Sequence, residues 1–181
     1  MAEYSDSEMQ DDFLKNLTAE YINREKWHEA LQRFVDVLRI NIFVVDAKGN
    51  MFIPPVGENV KGRLGLRFLA NSFGKDFAEE GKNLLEKFQL SGEYLEYRDE
   101  FDLNFFAIHV MLNSQMPIVY MFVGPVILNK RWGNEEYFEK ADAVGLNREG
   151  LLEAFHDIRV VSFVTIKSIL DLVAVIGHDI M

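Results

Sequence analysis

Ile40-Asn41-Ile42-Phe43-Val44-Val45-Asp46-Ala47-Lys48-Gly49-Asn50-Met51-Phe52-Ile53-Pro54-Pro55 reads as strand, tight turn, strand. Ile40 to Val45 is apolar and rich in β-branched residues, the composition of a strand buried on both faces. Asp46 ends the run, because a short acidic side chain bonds the backbone of a turn. Lys48-Gly49-Asn50 tolerates the positive φ of a hairpin bend. Met51 to Ile53 returns as the second strand, and Pro54-Pro55, lacking backbone donors, is expected to stop it. No catalytic residue set stands here; the hairpin reads as the opening of a sheet that holds something.

Working outward, Leu103 to Leu112 and Met116 to Leu128 are the next strands, joined by the polar turn Asn113-Ser114-Gln115. Alternation puts Phe105, Ala107, His109 and Met111 on one face and Phe106, Ile108, Val110 and Leu112 on the other. Both faces are apolar, so both need cover, and hairpin neighbours pair antiparallel. Tyr94 to Phe101 is expected as a further strand. A helical pattern from Phe13 to Arg39 carries one stripe at Leu14, Leu17 and Tyr21. A second stripe holds Leu31, Phe34, Val35 and Leu38, with Asn23 as its cap. Val56 to Gly65 reads as loop and Arg67 to Asn71 as a helical turn. Asp76 to Phe88 follows as a helix broken at Ser91-Gly92. Glu135 to Val144 is expected as a helix with Asn134 at its cap and Gly145 past its end. Asn147 caps another helix, running to about Phe155. Ser162 opens a last helix in which Phe163, Ile166, Leu170, Val173 and Ile180 recur at heptad-like steps, with Gly177 in the series. Two readings of that helix stand side by side. It is a dimer seam or a lead into an output module, or it closes the domain's own core.

Phe34-Val35-Asp36-Val37-Leu38 followed by Ile42-Phe43-Val44-Val45-Asp46-Ala47-Lys48-Gly49-Asn50 resembles the start of a PAS-like sensory domain. More narrowly, it resembles the PocR-type sensory domain of bacterial regulators and histidine kinases. Val123-Gly124-Pro125-Val126-Ile127-Leu128 is similar to that family's last strand, and Ala141 to Leu152 to the helix pair after it. The resemblance covers most of the chain beyond about Trp27. It implies an α+β fold: a PAS-like antiparallel sheet flanked by helices, with N- and C-terminal helical extensions. PocR-type domains often carry cysteines around the middle helix and after the next strand. Glu96-Tyr97-Arg98-Asp99-Glu100-Phe101 has none, so no redox or metal property tied to them carries over.

The 181 residues fit one domain, and at 49% apolar, with 15 Phe, they can build a sizeable core. A net charge of −10 sets the surface against phosphate backbones, which argues against direct nucleic-acid or anionic-membrane binding. With no cysteine, disulfides, thiolate metal sites and Cys nucleophiles are excluded. The start, Met1 to Asp6, lacks a signal-peptide pattern, and no apolar run is long enough to span a bilayer, so a cytoplasmic location is expected. No P-loop, dinucleotide fingerprint or nucleophile elbow occurs. His28, His109, His156 and His178 show no metal-ligand spacing. Asp11-Asp12, Glu79-Glu80 and Glu135-Glu136 read as solvated helix faces.

His109 is the polar residue inside an apolar strand. It is either a satisfied or edge-facing histidine, or a pocket group that orients a ligand. Tyr97, Phe101, Tyr120, Phe122 and Trp132 are core and rim residues or, if the sheet curves, an aromatic ligand site. A hydrolase or isomerase using His109 with Asp99 or Glu100 carries little weight. The chain thus divides into an acidic, frayed 1–12, a helical segment 13–39, a PAS-like PocR-type domain 40–160 and a signalling or dimerisation helix 161–181. The expected function is non-catalytic sensing of a small organic ligand, with no metal and no cofactor identified. The expected partners are a second copy joined through terminal helices and an output module such as a histidine kinase or DNA-binding domain. The competing reading is a ligand-free interaction module with a filled core.

Overall fold

Residues 23–46, 51–56, 89–91, 94–113 and 116–179 of a computed structural model form four helices and seven strands. In chain order these are α1 (Arg24–Leu38), β1 (Ile42–Asp46), β2 (Met51–Val56), β3 (Gln89–Ser91), β4 (Tyr94–Arg98), β5 (Leu103–Asn113) and β6 (Met116–Leu128). Then follow α2 (Asn134–Val144), α3 (Arg148–Asp157), β7 (Val160–Val161) and α4 (Phe163–Asp179). The sheet order is β2-β1-β6-β5-β4-β3, antiparallel at every step. β7 adds a short parallel pairing, Ile127↔Val160 and Leu128↔Val161, where β6 has run past the end of β1. The architecture is the expected α+β, PAS-like antiparallel sheet with flanking helices.

Local chemistry accounts for the element ends. Asn23 caps α1 by accepting from Glu25 N and Lys26 N, each at 3.1 Å, and Arg39 ends the helix in the left-handed conformation. Asn147 caps α3 through Gly150 N at 2.8 Å, and Ser162 caps α4 through Thr165 N at 3.1 Å. Gly145, at φ 71°, closes α2 as expected. The cap of that helix is Gly133 rather than Asn134, because the Glu136 carboxylate reaches back to Gly133 N at 2.7 Å.

Several strand boundaries differ from the sequence expectation: β1 spans Ile42–Asp46 rather than Ile40 to Val45, and Val56 belongs to β2 rather than to a loop. β2 continues through Pro54-Pro55, because it is an edge strand and the prolines fall at a register shift between Ile42↔Val56 and Val44↔Ile53. β4 ends at Arg98, not Phe101. The buried Asp99 carboxylate accepts from Phe101 N at 2.9 Å and Leu103 N at 2.8 Å and turns the chain, and Arg98 pairs with Asp102 at 2.5 Å. Ser91 sits in a strand, paired with Tyr94, rather than at a break. The expectations for 1–22, the hairpin bend at Lys48-Gly49-Asn50, the loop and turn of 57–71, the helix Asp76 to Phe88, the turn at 114–115 and Ile180 lie outside the described residues.

Alternation splits the interior into two cores. The first face carries Val44, Phe106, Ile108, Val110, Met121 and Val123 under Trp27, Leu31 and Val35 of α1 and Ile166, Ile169, Leu170 and Val173 of α4. Much of the heptad-like series in the last helix is therefore spent on the domain's own core, while Phe163 is exposed. The packing is tightest at Gly177, where a Cβ would come within 2.8 Å of Met121 Sδ and Val110 Cγ2. The second face carries Phe43, Val45, Phe105, Ala107 and Phe122, with Tyr137 and Ala141 of α2 and Leu151 and Phe155 of α3.

One extra residue in β6 allocates side chains between these faces. Asn104 pairs with Val126 and Phe106 with Val123, so three steps on β6 oppose two on β5. Gly124 fills the bulge at φ 139°, before a cis bond to Pro125, and a Cβ there would lie 2.8 Å from the Asn104 carbonyl oxygen. Val123 and Val126 consequently share the first core, and Ile127 turns to the second.

Candidate ligand-binding face of the sheet

The register of β1, β6, β5 and β4 assembles rows of side chains on the second face. Leu95 pairs with Ala107, Ala107 with Phe122, and Phe122 with Phe43. The next row places His109 opposite Tyr120 and Tyr120 opposite Val45. Tyr97 stands opposite Phe105. All six residues singled out from the sequence belong to this face or its helical cover, in distinct environments.

Phe101 and Trp132 belong to the end roofed by α2 and α3. Tyr137 stacks on Phe155 at 4.3 Å and 19°, Phe101 meets Phe155 at 6.0 Å, and Trp132 lies 5.5 Å from Tyr137. Trp132 N donates to the Tyr137 hydroxyl oxygen at 3.3 Å. Arg131 holds the C-terminus of α3 by donating to the carbonyls of Phe155 (3.2 Å), His156 (3.1 Å) and Ile158 (2.5 Å). A guanidinium there satisfies carbonyls that the helix leaves unpaired and complements its dipole. Phe101, Tyr137 and Phe155 are buried, and Trp132 is half-buried at the edge of their cluster.

Phe122 occupies the middle. It is fully buried and stacked on Phe43 at 4.8 Å with 4° between planes. His109 and Tyr120, paired across β5 and β6, form the third environment, whereas Tyr97, opposite Phe105, lies four residues along β5 from the His109 row, roughly 13 Å away. His109 is exposed, and the two tyrosines are half-buried. Tyr97 lies over Phe105 at 6.1 Å. Burial raises the Tyr97 phenol above its ordinary value of 10.0, with Asp99 and Glu100 adding to the effect, and burial alone raises Tyr120. Both hydroxyls therefore remain neutral through the physiological range.

The hydrolase-like pairing of His109 with Asp99 or Glu100 has no geometric support. Arg98 pairs with Asn104, five residues from His109 along β5, a span of roughly 15 Å. The Asp99 carboxylate is also engaged by backbone amides. Among the described residues, no group of three or more His, Cys, Asp or Glu could hold a metal ion. Among them, too, no helix is long and apolar enough to cross a membrane.

Sequence reasoning missed Phe43, Phe105 and Ala107, which build the floor of this face. Ala107 is the informative one, a small side chain between Phe105, His109 and Phe122. The alternation on β5 was legible, but cross-strand register was not.

The family model for the sensory domain found in PocR matches residues 20–181, a span that includes every described element. The chain belongs to the PocR sensory-domain family. No curated protein and no solved structure matches it. The hairpin and the Val123–Leu128 strand that carried the resemblance are β1–β2 and the bulged half of β6. In this PocR domain β1 meets the Val123–Leu128 segment only at Ile42↔Val123, and the rest of its ladder pairs with Val119 to Phe122.

Proposed function

We propose that this PocR domain is a non-catalytic sensor that holds a small organic molecule against the second face of its sheet. The observation behind the reading is the cross-strand pair of an exposed His109 and a half-buried Tyr120, with the half-buried Tyr97 two rows along the same otherwise apolar, aromatic face. Phe105, Ala107 and Phe122 would meet the apolar part of the ligand, the His109 imidazole and the Tyr120 phenol would orient a polar group at one end, and the Tyr97 phenol would meet the other end. The relay would follow the chain from α3 into α4. Arg131 fastens the end of α3, Ile158 to Ser162 crosses to the first face through β7, and Arg159 donates to the Leu38 carbonyl at the end of α1. A ligand that repositions α3 would bias both terminal helices, with a coupling of about 1–3 kcal/mol. The output would be a cytoplasmic module such as a histidine kinase or a DNA-binding domain. The domain's own charge of −10 disfavours direct contact with nucleic acid.

Native mass spectrometry of fresh protein, followed by thermal-shift titration with a panel of small alcohols, acids and aromatics, tests this reading. A retained mass or a saturable rise in Tm that Tyr120→Phe and His109→Ala both weaken supports it. A response that neither substitution changes overturns it. The fully buried Phe43–Phe122 stack favours the interaction-module reading, in which the face is filled and nothing is retained.

A further inference from the structure

The apolar part of the proposed ligand face is shut. Phe43, Phe105, Ala107 and Phe122 are each 0% exposed. A molecule laid against them must first displace their cover. Among the described residues, α2 and α3 supply it: Tyr137, Ala141, Leu151 and Phe155 belong to the same buried cluster. The attachment of these two helices leaves them room to move. The chain departs from β6 at Asn129, which stands at φ 65°, and returns to the sheet at β7, beside its point of departure. Ile127 N donates to the Arg159 carbonyl at 3.0 Å, and Asn129 N to the Val161 carbonyl at 2.8 Å. Residues 130–158 are therefore an excursion with a closed base, and they can swing on that base while the β6–β7 pairing holds. Braces inside the excursion make it one body. Arg131 bonds the carbonyls of Phe155, His156 and Ile158, Arg148 of α3 pairs with Asp142 of α2, and Tyr137 of α2 stacks on Phe155 of α3. Apolar side chains join this body to the sheet, and apolar contact is non-directional, so it re-forms after each swing.

We propose that α2 and α3 together are a hinged lid over the second face. The lid swings as one body about the β6–β7 base, admits a small apolar molecule to Phe105, Ala107 and Phe122, and closes over it. The swing reaches α4 through Ile158 to Ser162, the crossing from which the terminal helices take their bias. The first face has no such device. There α1 and α4 are seated separately on the sheet, and α1 is tied at its C-terminus by Arg159, which donates to the Leu38 carbonyl. The lid takes its purpose from the ligand reading, but its motion is measured without any ligand, so either can fail alone.

Thiol labelling of the full chain tests it, because the sequence has no cysteine of its own. Ala107→Cys places a thiol under the lid, and Val110→Cys places one under the first face, where Val110 is 0% exposed. Residue 107 is expected to label at least about tenfold faster than residue 110, since it needs only the lid to open. Low denaturant should hardly change the rate at 107 and should steeply raise the rate at 110, because little surface is exposed in the first case and much in the second. Leu151→Ala, which loosens the lid from the sheet, should speed labelling at 107 by about tenfold or more. Val173→Ala, in the core under α4, should speed labelling at 110 and leave 107 unchanged. Should Ala107→Cys fail to fold, Val45→Cys on the same face takes its place. Equal rates at the two faces overturn the proposal. So does a rate at 107 that Leu151→Ala leaves unaltered, or that Val173→Ala raises as much as it raises the rate at 110.

Discussion

The two faces of this sheet use the same strands for different ends. The first is closed by α1 and α4 with aliphatic residues and one tryptophan, nearly all below a few per cent exposure. The second is closed by α2 and α3 at the Phe101–Phe155 end, and at Tyr97, His109 and Tyr120 it carries polar atoms with partial access. A close-packed face supplies stability and fixes the helices it touches. A face with polar groups at its margin gives up some of that packing and gains places where a ligand can be oriented. The contrast predicts that substitutions on the first face act on folding, and those at the margin of the second on binding.

The largest expected effect tests the closed face. Trp27→Ala should cost about 3–5 kcal/mol in chemical denaturation, because a fully buried indole leaves a cavity beneath α1. The Trp27 indole N–H finds no hydrogen-bond partner among the described residues. Trp27→Phe should therefore cost much less than the area lost implies, under about 1.5 kcal/mol, since it also removes an unpaired buried donor. Next, Gly177→Ala should cost about 1–3 kcal/mol, because the added methyl must displace Met121 and Val110 where α4 meets the sheet. Arg131→Ala should cost about 1.5–3 kcal/mol and loosen α3 selectively, visible as faster amide exchange in its last turn.

Alkaline titration sharpens the comparison on the second face. Tyr97, Tyr120 and Tyr137 have folded-state values raised above 10.0 by burial. The stability they contribute is complete below that pH and is lost as pH rises through their folded values. Tm should therefore begin to fall above about pH 10, and Tyr97→Phe with Tyr120→Phe should flatten the decline. The smallest stability effect is expected at the margin itself. His109→Ala should shift the denaturation midpoint by less than about 0.5 kcal/mol, because the ring is exposed. An effect of several kcal/mol there would dissolve the distinction between the faces.

Much of the fold was legible where local chemistry is decisive. The caps at Asn23, Asn147 and Ser162, the stop at Gly145, and the alternation of Phe105, Ala107 and His109 against Phe106, Ile108 and Val110 all follow from neighbouring residues. The misplaced ends of β2 and β4 arose where context outweighs local rules. An edge strand tolerates Pro54-Pro55, and Asp99 forms a turn that a strand pattern of alternating residues conceals. The six candidate site residues were chosen as a set by residue type. Whether they are packing or margin depends on which helix ends above each one.

The sequence by itself determined two-sided strands, their antiparallel pairing and the helices around them, because periodicity and capping act within a few residues of chain. Only the tertiary structure decided which face each helix covers, how the Gly124 bulge moves Ile127 to the second face, and which side of α4 is left exposed. Those outcomes depend on register and on contacts between residues more than a hundred positions apart, such as Arg159 with Leu38, and no local pattern encodes them.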